Sequence, residues 1–260
     1  MSVIAVIPAR YGSTRLPGKP LTSIAGRLMI ERVWLSAREA ECVDRVVVAT
    51  DDQRIVDAVS AFGGEAVMTD PQCRNGTERA LDAVRCLNSD ADIIINVQGD
   101  AALIPPWVIG DVASAMRADD ALCMATPAVR MPTETADRMR EMKAKGIVGG
   151  TTVVFNKNMD ALYFSKGVIP FQRHPEAGTP THQHIGLYGY RRETLEQIVA
   201  LEPSPLEMAE SLEQLRALEN GIPIRIVMTD YRGRSAWSVD SPEDVGVVEG
   251  IIAREGELVK

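Results

Sequence analysis

Arg10, Arg15 and Lys19 put three cations into ten positions of the segment Pro8-Ala9-Arg10-Tyr11-Gly12-Ser13-Thr14-Arg15-Leu16-Pro17-Gly18-Lys19-Pro20, and no acidic residue interrupts it. Arginine offers a planar fork and lysine a point charge, and both suit phosphate oxygens. The two glycines let the backbone approach such oxygens closely. In a chain of formal net charge −8, this local excess points to an anionic partner, and a triphosphate fits it. A solvated basic loop is the plain alternative. The segment is neither a Walker A loop nor a Rossmann fingerprint.

Two carboxylates could complete such a site. Asp100 ends Asn96-Val97-Gln98-Gly99-Asp100, just past an apolar run. Mg²⁺ takes one or two protein carboxylates together with phosphate oxygens and water. An aspartate at a strand end also serves as a turn or cap residue. Asp240, in Val239-Asp240-Ser241-Pro242-Glu243-Asp244, precedes a helix start. It reads as an N-cap or as the partner of Asp100. A third candidate is Asn75-Gly76-Thr77-Glu78-Arg79. A Gly-Thr turn opening a helix presents backbone donors to an anion or a base edge, or simply starts the helix.

The elements that must hold these residues follow from periodicity. Residues 3–7, Arg45–Thr50, Glu65–Met68 and 92–97 are short apolar runs, as in strands buried on both faces. Helical spacing or helix punctuation covers 28–41, 52–62, 77–87 and 105–116 between them. This alternation predicts an α/β fold with an open, mostly parallel sheet. Its ligands would bind beyond the carboxyl ends of the strands, where the basic segment lies. The rhythm loosens after about residue 120. Strands are expected at 122–129, 150–155, 185–190 and 222–229, a long loop at 165–183, and helices at 205–220 and 241–254. One domain over 1–260 with a smaller inserted lobe near 120–185 fits this pattern.

Composition sets outer bounds. The 260 residues are 45% hydrophobic and 25% charged, which is ordinary for a folded globular chain. No apolar run reaches the ~18 residues of a membrane span, and the opening does not read as a secretory leader. The acidic balance argues against nucleic-acid or anionic-membrane partners. Cys42, Cys73, Cys86 and Cys123 show no C-x-x-C spacing, so they read as cytoplasmic thiols.

Six blocks in order carry a family resemblance: IPARYGSTRLPGKPL (7–21), NGTER (75–79), NVQGD (96–100), ALYFSK-x-x-IPF (161–171), HIGLYGYR with SPLEMAESLEQLR (184–191 and 204–216), and VDSPEDV (239–245). Together they resemble the 3-deoxy-manno-octulosonate (Kdo) cytidylyltransferases over nearly the whole chain. The resemblance implies a nucleotidyltransferase (Rossmann-like) fold, a homodimer, CTP as co-substrate and Mg²⁺. It implies that the lobe near 120–185 serves the acceptor and dimerisation. It assigns Ala9, Arg10, Arg15, Lys19, Asn75, Gly76, Arg79 and Gln98 to the nucleotide, and Asp100 and Asp240 to the metal. Gln98, His184, Tyr188, Glu213 and Gln214 fall around the sugar acid, with His184 able to donate to its carboxylate. The implied reaction is in-line attack of an acceptor oxygen on the α-phosphorus of CTP. Arg15 and Lys19 would steady the departing diphosphate beside Asp100 and Asp240.

The chain also departs from the pattern. The family reads QGDEP where this chain has Gln98-Gly99-Asp100-Ala101-Ala102. Gly149-Gly150-Thr151-Thr152-Val153-Val154 replaces an N-x-x-K-V-V-like stretch, and Lys166 replaces an arginine. The phosphate loop is intact while the acceptor side has drifted. Kdo, a related sugar acid and a smaller acid such as a phosphonate are therefore all admissible acceptors on sequence alone. A UTP or dTTP donor ranks lower, because hexose-1-phosphate nucleotidyltransferases carry a glycine-richer loop. A non-catalytic nucleotide-binding relative fits the loss at 101–102 but not the retention of both aspartates.

Overall fold

The computed structural model describes residues 1–12, 16–147, 149–174, 176 and 178–259. The first apolar run becomes β1 (Val3–Ala9). Val3, Ala5, Ile7 and Ala9 enter one hydrophobic cluster, while Ile4 and Val6 enter another on the opposite face. This is the period-two alternation of a strand covered on both sides. A short 3-10 turn (Lys19–Leu21) and the hairpin β2 (Ser23–Ile24) and β3 (Arg27–Leu28) lead into α1 (Met29–Arg38). β4 (Arg45–Thr50), α2 (Gln53–Ala61), β5 (Glu65–Met68), α3 (Gly76–Cys86), β6 (Ile93–Val97) and α4 (Pro106–Ala118) continue the alternation. The second half comprises β7 (Met124–Arg130), α5 (Thr133–Ala144), β8 (Thr151–Phe155), β9 (Ala161–Ser165), β10 (His182–His184), β11 (Leu187–Arg191), α6 (Arg192–Ala200), α7 (Pro205–Glu210), α8 (Gln214–Glu219), β12 (Arg225–Met228) and α9 (Pro242–Glu255).

One large sheet runs β5-β4-β1-β6-β11-β7-β10-β8-β9, with β12 joined to β7. Strands β5, β4, β1, β6, β7, β8 and β12 point one way, and β11, β10 and β9 the other. The expected α/β architecture with a mostly parallel sheet is therefore present, with the reversed strands gathered in the later part. Helices α1, α2 and α4 pack on one face; α3, α6 and α8 pack on the other. β1 is paired with β4 on one side and β6 on the other. The chain thus leaves the central strands in opposite directions, and their carboxyl ends frame a crevice.

Several elements were not expected. Helix α5 buries only Ala136, so its sequence carries little apolar periodicity. Strand β9 and helix α6 also arise where no element was predicted. The helix expected over 205–220 is a correction: it is two helices. Ser211 breaks it in the left-handed region at φ 52°. The break follows from where the side chains must go. Glu210 reaches β9, accepting from Ser165 Oγ at 2.8 Å and Lys166 N at 2.7 Å, while Leu212 and Leu215 turn into the second cluster. A straight helix could not direct Glu210 and Leu212 to both places.

Candidate active site

Beyond β1 the loop folds back on itself. Gly18 N donates to Tyr11 O at 3.0 Å, and Gly18 has φ +69°, with the Tyr11 ring 3.2 Å from where a β-carbon would sit. The Arg54 guanidinium stacks on Tyr11 at 3.3 Å, and Asp52 holds it by bonds of 2.8 and 2.6 Å. The first turn of α2 thereby braces the loop. Ala9 is buried at the end of β1, and Arg10 is exposed. Arg15 lies outside the described residues. Lys19, only 14% exposed, directs its ammonium to Asp100 Oδ2 at 2.8 Å and to Asp240 Oδ1 at 3.3 Å.

Two carboxylates 140 positions apart in sequence thus meet at one cationic point. Asp100 arrives on the turn after β6, closed by Ala101 N to Gln98 O at 3.1 Å. Gly99 makes that approach possible: a β-carbon there would stand 2.5 Å from Pro8 O. Asp240 arrives on the strap before α9, where Val239 N donates to Asp100 O at 3.3 Å. Beneath them lies a third hydrophobic cluster: Ile24, Met29, Ala102, Leu103, Val239, Val248, Ile251 and Ile252. Ala102 is 3% exposed, so this part of the departure at 101–102 falls on packing and leaves Asp100 in place. Among the described residues no group of three or more His, Cys, Asp or Glu side chains could hold a metal. The donor set fits Mg²⁺ sharing two carboxylates and taking its remaining oxygens from phosphate and water. Asp100 and Asp240 would hold it.

The second wall comes from α3. Asn75 caps the helix by accepting from Glu78 N at 2.8 Å. A β-carbon on Gly76 would lie 3.4 Å from Pro8 Cγ and 3.6 Å from Gln98 Oε1. Gly76 and Gln98 therefore share the crevice floor with β1. Arg79 is turned inward at 3% exposure, bonding Thr69 Oγ1 at 2.7 Å and Asp51 Oδ2 at 2.9 Å. The geometry makes it a support of this wall rather than an offered cation.

The third wall is aromatic. Rings of Phe164, His184, Tyr188 and Tyr190 follow one another at 4.9, 5.5 and 6.0 Å between centroids. A pocket beside them is lined by Tyr188, Tyr190, Glu213 and Gln214 with Met124 and Ile198. Glu213 is the residue before α8, just past the helix break, not on a solvated helix face. Burial raises its carboxyl pKa against the pull of Thr77 and Arg216. Burial, then the Glu213 charge, pushes the Tyr188 hydroxyl above the ordinary phenol range. Gln214 is 4% exposed, and its Nε2 has no hydrogen-bond partner, like Asn96 Oδ1 nearby on β6.

His184 needs a correction. Its Nε2 lies 2.8 Å from Thr126 Oγ1, and that hydroxyl donates to Leu187 O at 2.7 Å. The ring must then donate through Nε2–H, which leaves Nδ1 as an acceptor. Burial, then the Lys166 charge, drives its pKa down to about 3. A neutral ring with its one proton committed cannot donate to a carboxylate; it can accept from a hydroxyl. Stability carries the same signature. The unfolded chain, with a histidine pKa of about 6.5, binds one more proton than the folded chain between that pH and about 3. Stability therefore falls as pH drops through this window, by at most ~1.4 kcal/mol per pH unit. Glu213, raised from 4.5, acts with the opposite sign above that value, so the difference from a variant isolates His184. His184→Gln is expected to flatten the slope in urea unfolding between pH 4.5 and 6.5. Equal slopes would show that the ring is not held neutral.

Among the residues singled out from sequence, the structure gathers Lys19, Asp100 and Asp240 at one point, Gly76 and Gln98 beside β1, and Tyr188, Glu213 and Gln214 around one pocket. It also brings in partners that motif reading did not name. Thr126 sets the His184 tautomer, Arg54 stacks on the loop, and Arg216 secures α8. Only their tertiary neighbours reveal them.

A family profile described as Cytidylyltransferase matches residues 4–226. The chain is 76% identical over 259 residues to the 3-deoxy-manno-octulosonate cytidylyltransferase of Maricaulis maris, covering 100% of both. It is 47% identical to the protein of the same name from Myxococcus xanthus, covering 97% of each. Its fold matches a CMP:2-keto-3-deoxy-manno-octonic acid synthetase complexed with CTP at TM-score 0.87 and 39% identity, over 98% of this chain and 100% of that one. A cytidylyltransferase from Leptospira borgpetersenii shares the fold at TM-score 0.60 and 17% identity, over 98% of this chain and 87% of that one.

Proposed function

Because the chain belongs to the 3-deoxy-manno-octulosonate cytidylyltransferases, we propose that it transfers CMP from CTP to 3-deoxy-manno-octulosonate and releases diphosphate. The observation that carries this reading is the meeting of Asp100 and Asp240 on Lys19 at the end of the phosphate loop. The whole-length relative at 76% identity supports the octulosonate over a smaller acid such as a phosphonate.

The acceptor hydroxyl attacks the α-phosphorus in line and gives up its proton to solvent. One O–P bond forms, the bond to the β-phosphate oxygen breaks, and diphosphate carries the leaving charge. Arg10, Arg15 and Lys19, together with Ala9 of the β1 end, bind the phosphates. Arg15 and Lys19 neutralise charge on the leaving group. Asn75, Gly76 and Gln98 border the nucleoside, with Arg79 bracing them from beneath. Tyr188, Glu213, Gln214 and Gln98 hold the acceptor, and His184 accepts from one of its hydroxyls. Mg²⁺, held by Asp100 and Asp240, would polarise the α-phosphate and orient the attacking oxygen.

The remaining roles follow the same logic. Residues 120–185 form the acceptor and dimerisation part of a single nucleotidyltransferase unit. In it β9 ends the sheet, and Leu162 and Phe171 are exposed by 61% and 89%. Such an edge favours a homodimer; a monomer in sedimentation velocity would remove that assignment. No described helix is long and apolar enough to cross a membrane. The four cysteines are unpaired, which fits work in the cytoplasm on small molecules, without nucleic acid or membrane partners.

Diphosphate release across CTP, UTP, dTTP and a panel of acids tests the whole reading. CTP with the octulosonate is expected to outpace every other pair by at least tenfold. Equal rates with UTP or dTTP, or a phosphonate preferred as acceptor, would overturn it.

A further inference from the structure

We propose that Asp244 is the positioning residue that aims Asp240 at the divalent cation. The proposal rests on the reading of Asp100 and Asp240 as the metal pair. Asp244 is the third residue of α9, and its carboxylate takes four hydrogen bonds. Oδ2 accepts from Asp240 N at 2.9 Å, Ser241 N at 2.8 Å and Ser241 Oγ at 3.0 Å; Oδ1 accepts from the Trp237 indole at 2.9 Å. A helix-start box accounts for the bonds to Ser241. It does not account for the amide of Asp240 or for the indole three residues earlier. Those two bonds fold the strap 237–241 around Asp240. Val239 N to Asp100 O, at 3.3 Å, ties the same strap to the other metal residue. The Asp240 backbone is therefore held from both flanks, while its carboxylate lies against Lys19.

The helix that carries Asp244 is itself fixed to the phosphate-loop side of the site. Ala25 N donates to Glu249 Oε1 at 2.9 Å. Arg32, 6% exposed, grips Glu257 at 2.6 and 3.2 Å while also bonding Ile24 O. Ser235 bonds Glu255 through both N and Oγ, at 2.9 and 2.6 Å. The third hydrophobic cluster fills the space between α9, α1 and the turn after Asp100. Asp244 is thus a fixed point from which the strap is hung. A metal carboxylate must be held to within about 0.5 Å to act, and that precision comes from such supporting bonds.

The test separates metal binding from nucleotide binding without turnover. Calorimetry without acceptor gives the affinity for CTP in EDTA and for CTP with Mn²⁺, and their ratio is the gain due to metal. Asp244→Ala is expected to cut that gain at least tenfold while metal-free CTP affinity stays within twofold. Asp244→Asn, which keeps one acceptor oxygen, should fall between it and wild type, and it carries the test alone if the alanine variant does not fold. Trp237→Phe should move the gain in the same direction by a smaller factor. A wild-type gain in both Asp244 variants, with the gain lost in Asp240→Asn, overturns this proposal alone. A wild-type gain in Asp240→Asn overturns the metal reading beneath it.

Discussion

Asp100→Asn is expected to lower kcat by about a thousandfold, or ~4 kcal/mol of barrier, with little change in melting temperature. Asparagine matches the shape of aspartate and keeps the turn after β6. It removes one of the two charges that meet at Lys19, where Asp100 makes the shorter contact, 2.8 against 3.3 Å. A divalent cation would then have one anionic protein oxygen donor group instead of two. At the same time Lys19 would lose its nearer counter-ion. The effect belongs in kcat because charge accumulates on the phosphates mainly in the transition state. Asp100 is 35% exposed, so solvent screens its pairing and the fold depends little on it. Diphosphate release at saturating CTP and Mg²⁺ measures the loss. A rate near wild type would separate Asp100 from the metal.

The site was legible where a residue's own type and place in the chain set its role. Lys19 follows a buried strand and Asp100 ends another, and the two meet. A cation or carboxylate at a strand's carboxyl end has few places to go in an open α/β sheet. The first half of the fold was legible for a related reason. Strands buried on both faces, such as Arg45–Thr50, read as nearly continuous apolar runs rich in valine. The second half was not, because its elements lean on distant partners. Helix α5 buries a single alanine, which leaves its sequence without a stripe to detect. Residues 205–220 show good helical periodicity, and nothing local in Ser211 announces a left-handed backbone. The break is imposed by Glu210 bonding to Ser165 and Lys166, 45 and 44 residues earlier. The role of His184 was misread for the same reason. Its tautomer depends on Thr126, whose hydroxyl is already spent on Leu187 O.

Arg216→Ala is expected to destabilise the chain by about 3–5 kcal/mol and to weaken the acceptor more than the nucleotide. Arg216 is 4% exposed and grips Glu207 by two bonds, 2.7 Å from Nε and 2.6 Å from Nη2, while Nη1 reaches Leu201 O at 3.1 Å. Removing it leaves Glu207, 13% exposed, half-buried with the Ser204 amide at 3.1 Å and the more distant Arg74 charge to offset its own. The pair also fixes the angle between α7 and α8, since Glu207 lies on one and Arg216 on the other. Leu206 N to Glu219 Oε2 at 3.1 Å is a second tie between them. Glu213 and Gln214 occupy the corner these ties hold, so loosening it should displace the acceptor wall. The phosphate loop, Asp100 and Asp240 lie on other elements. Octulosonate KM should therefore rise at least tenfold while CTP KM stays within about threefold. Glu207→Gln combined with Arg216→Met removes both charges and should recover more than half of the lost stability, because no unpaired ion remains buried. Urea unfolding and steady-state kinetics on the single and double variants decide it. Equal increases in the two KM values would mean that α8 supports the whole crevice, and an unchanged unfolding midpoint would mean that the ion pair carries no net stability.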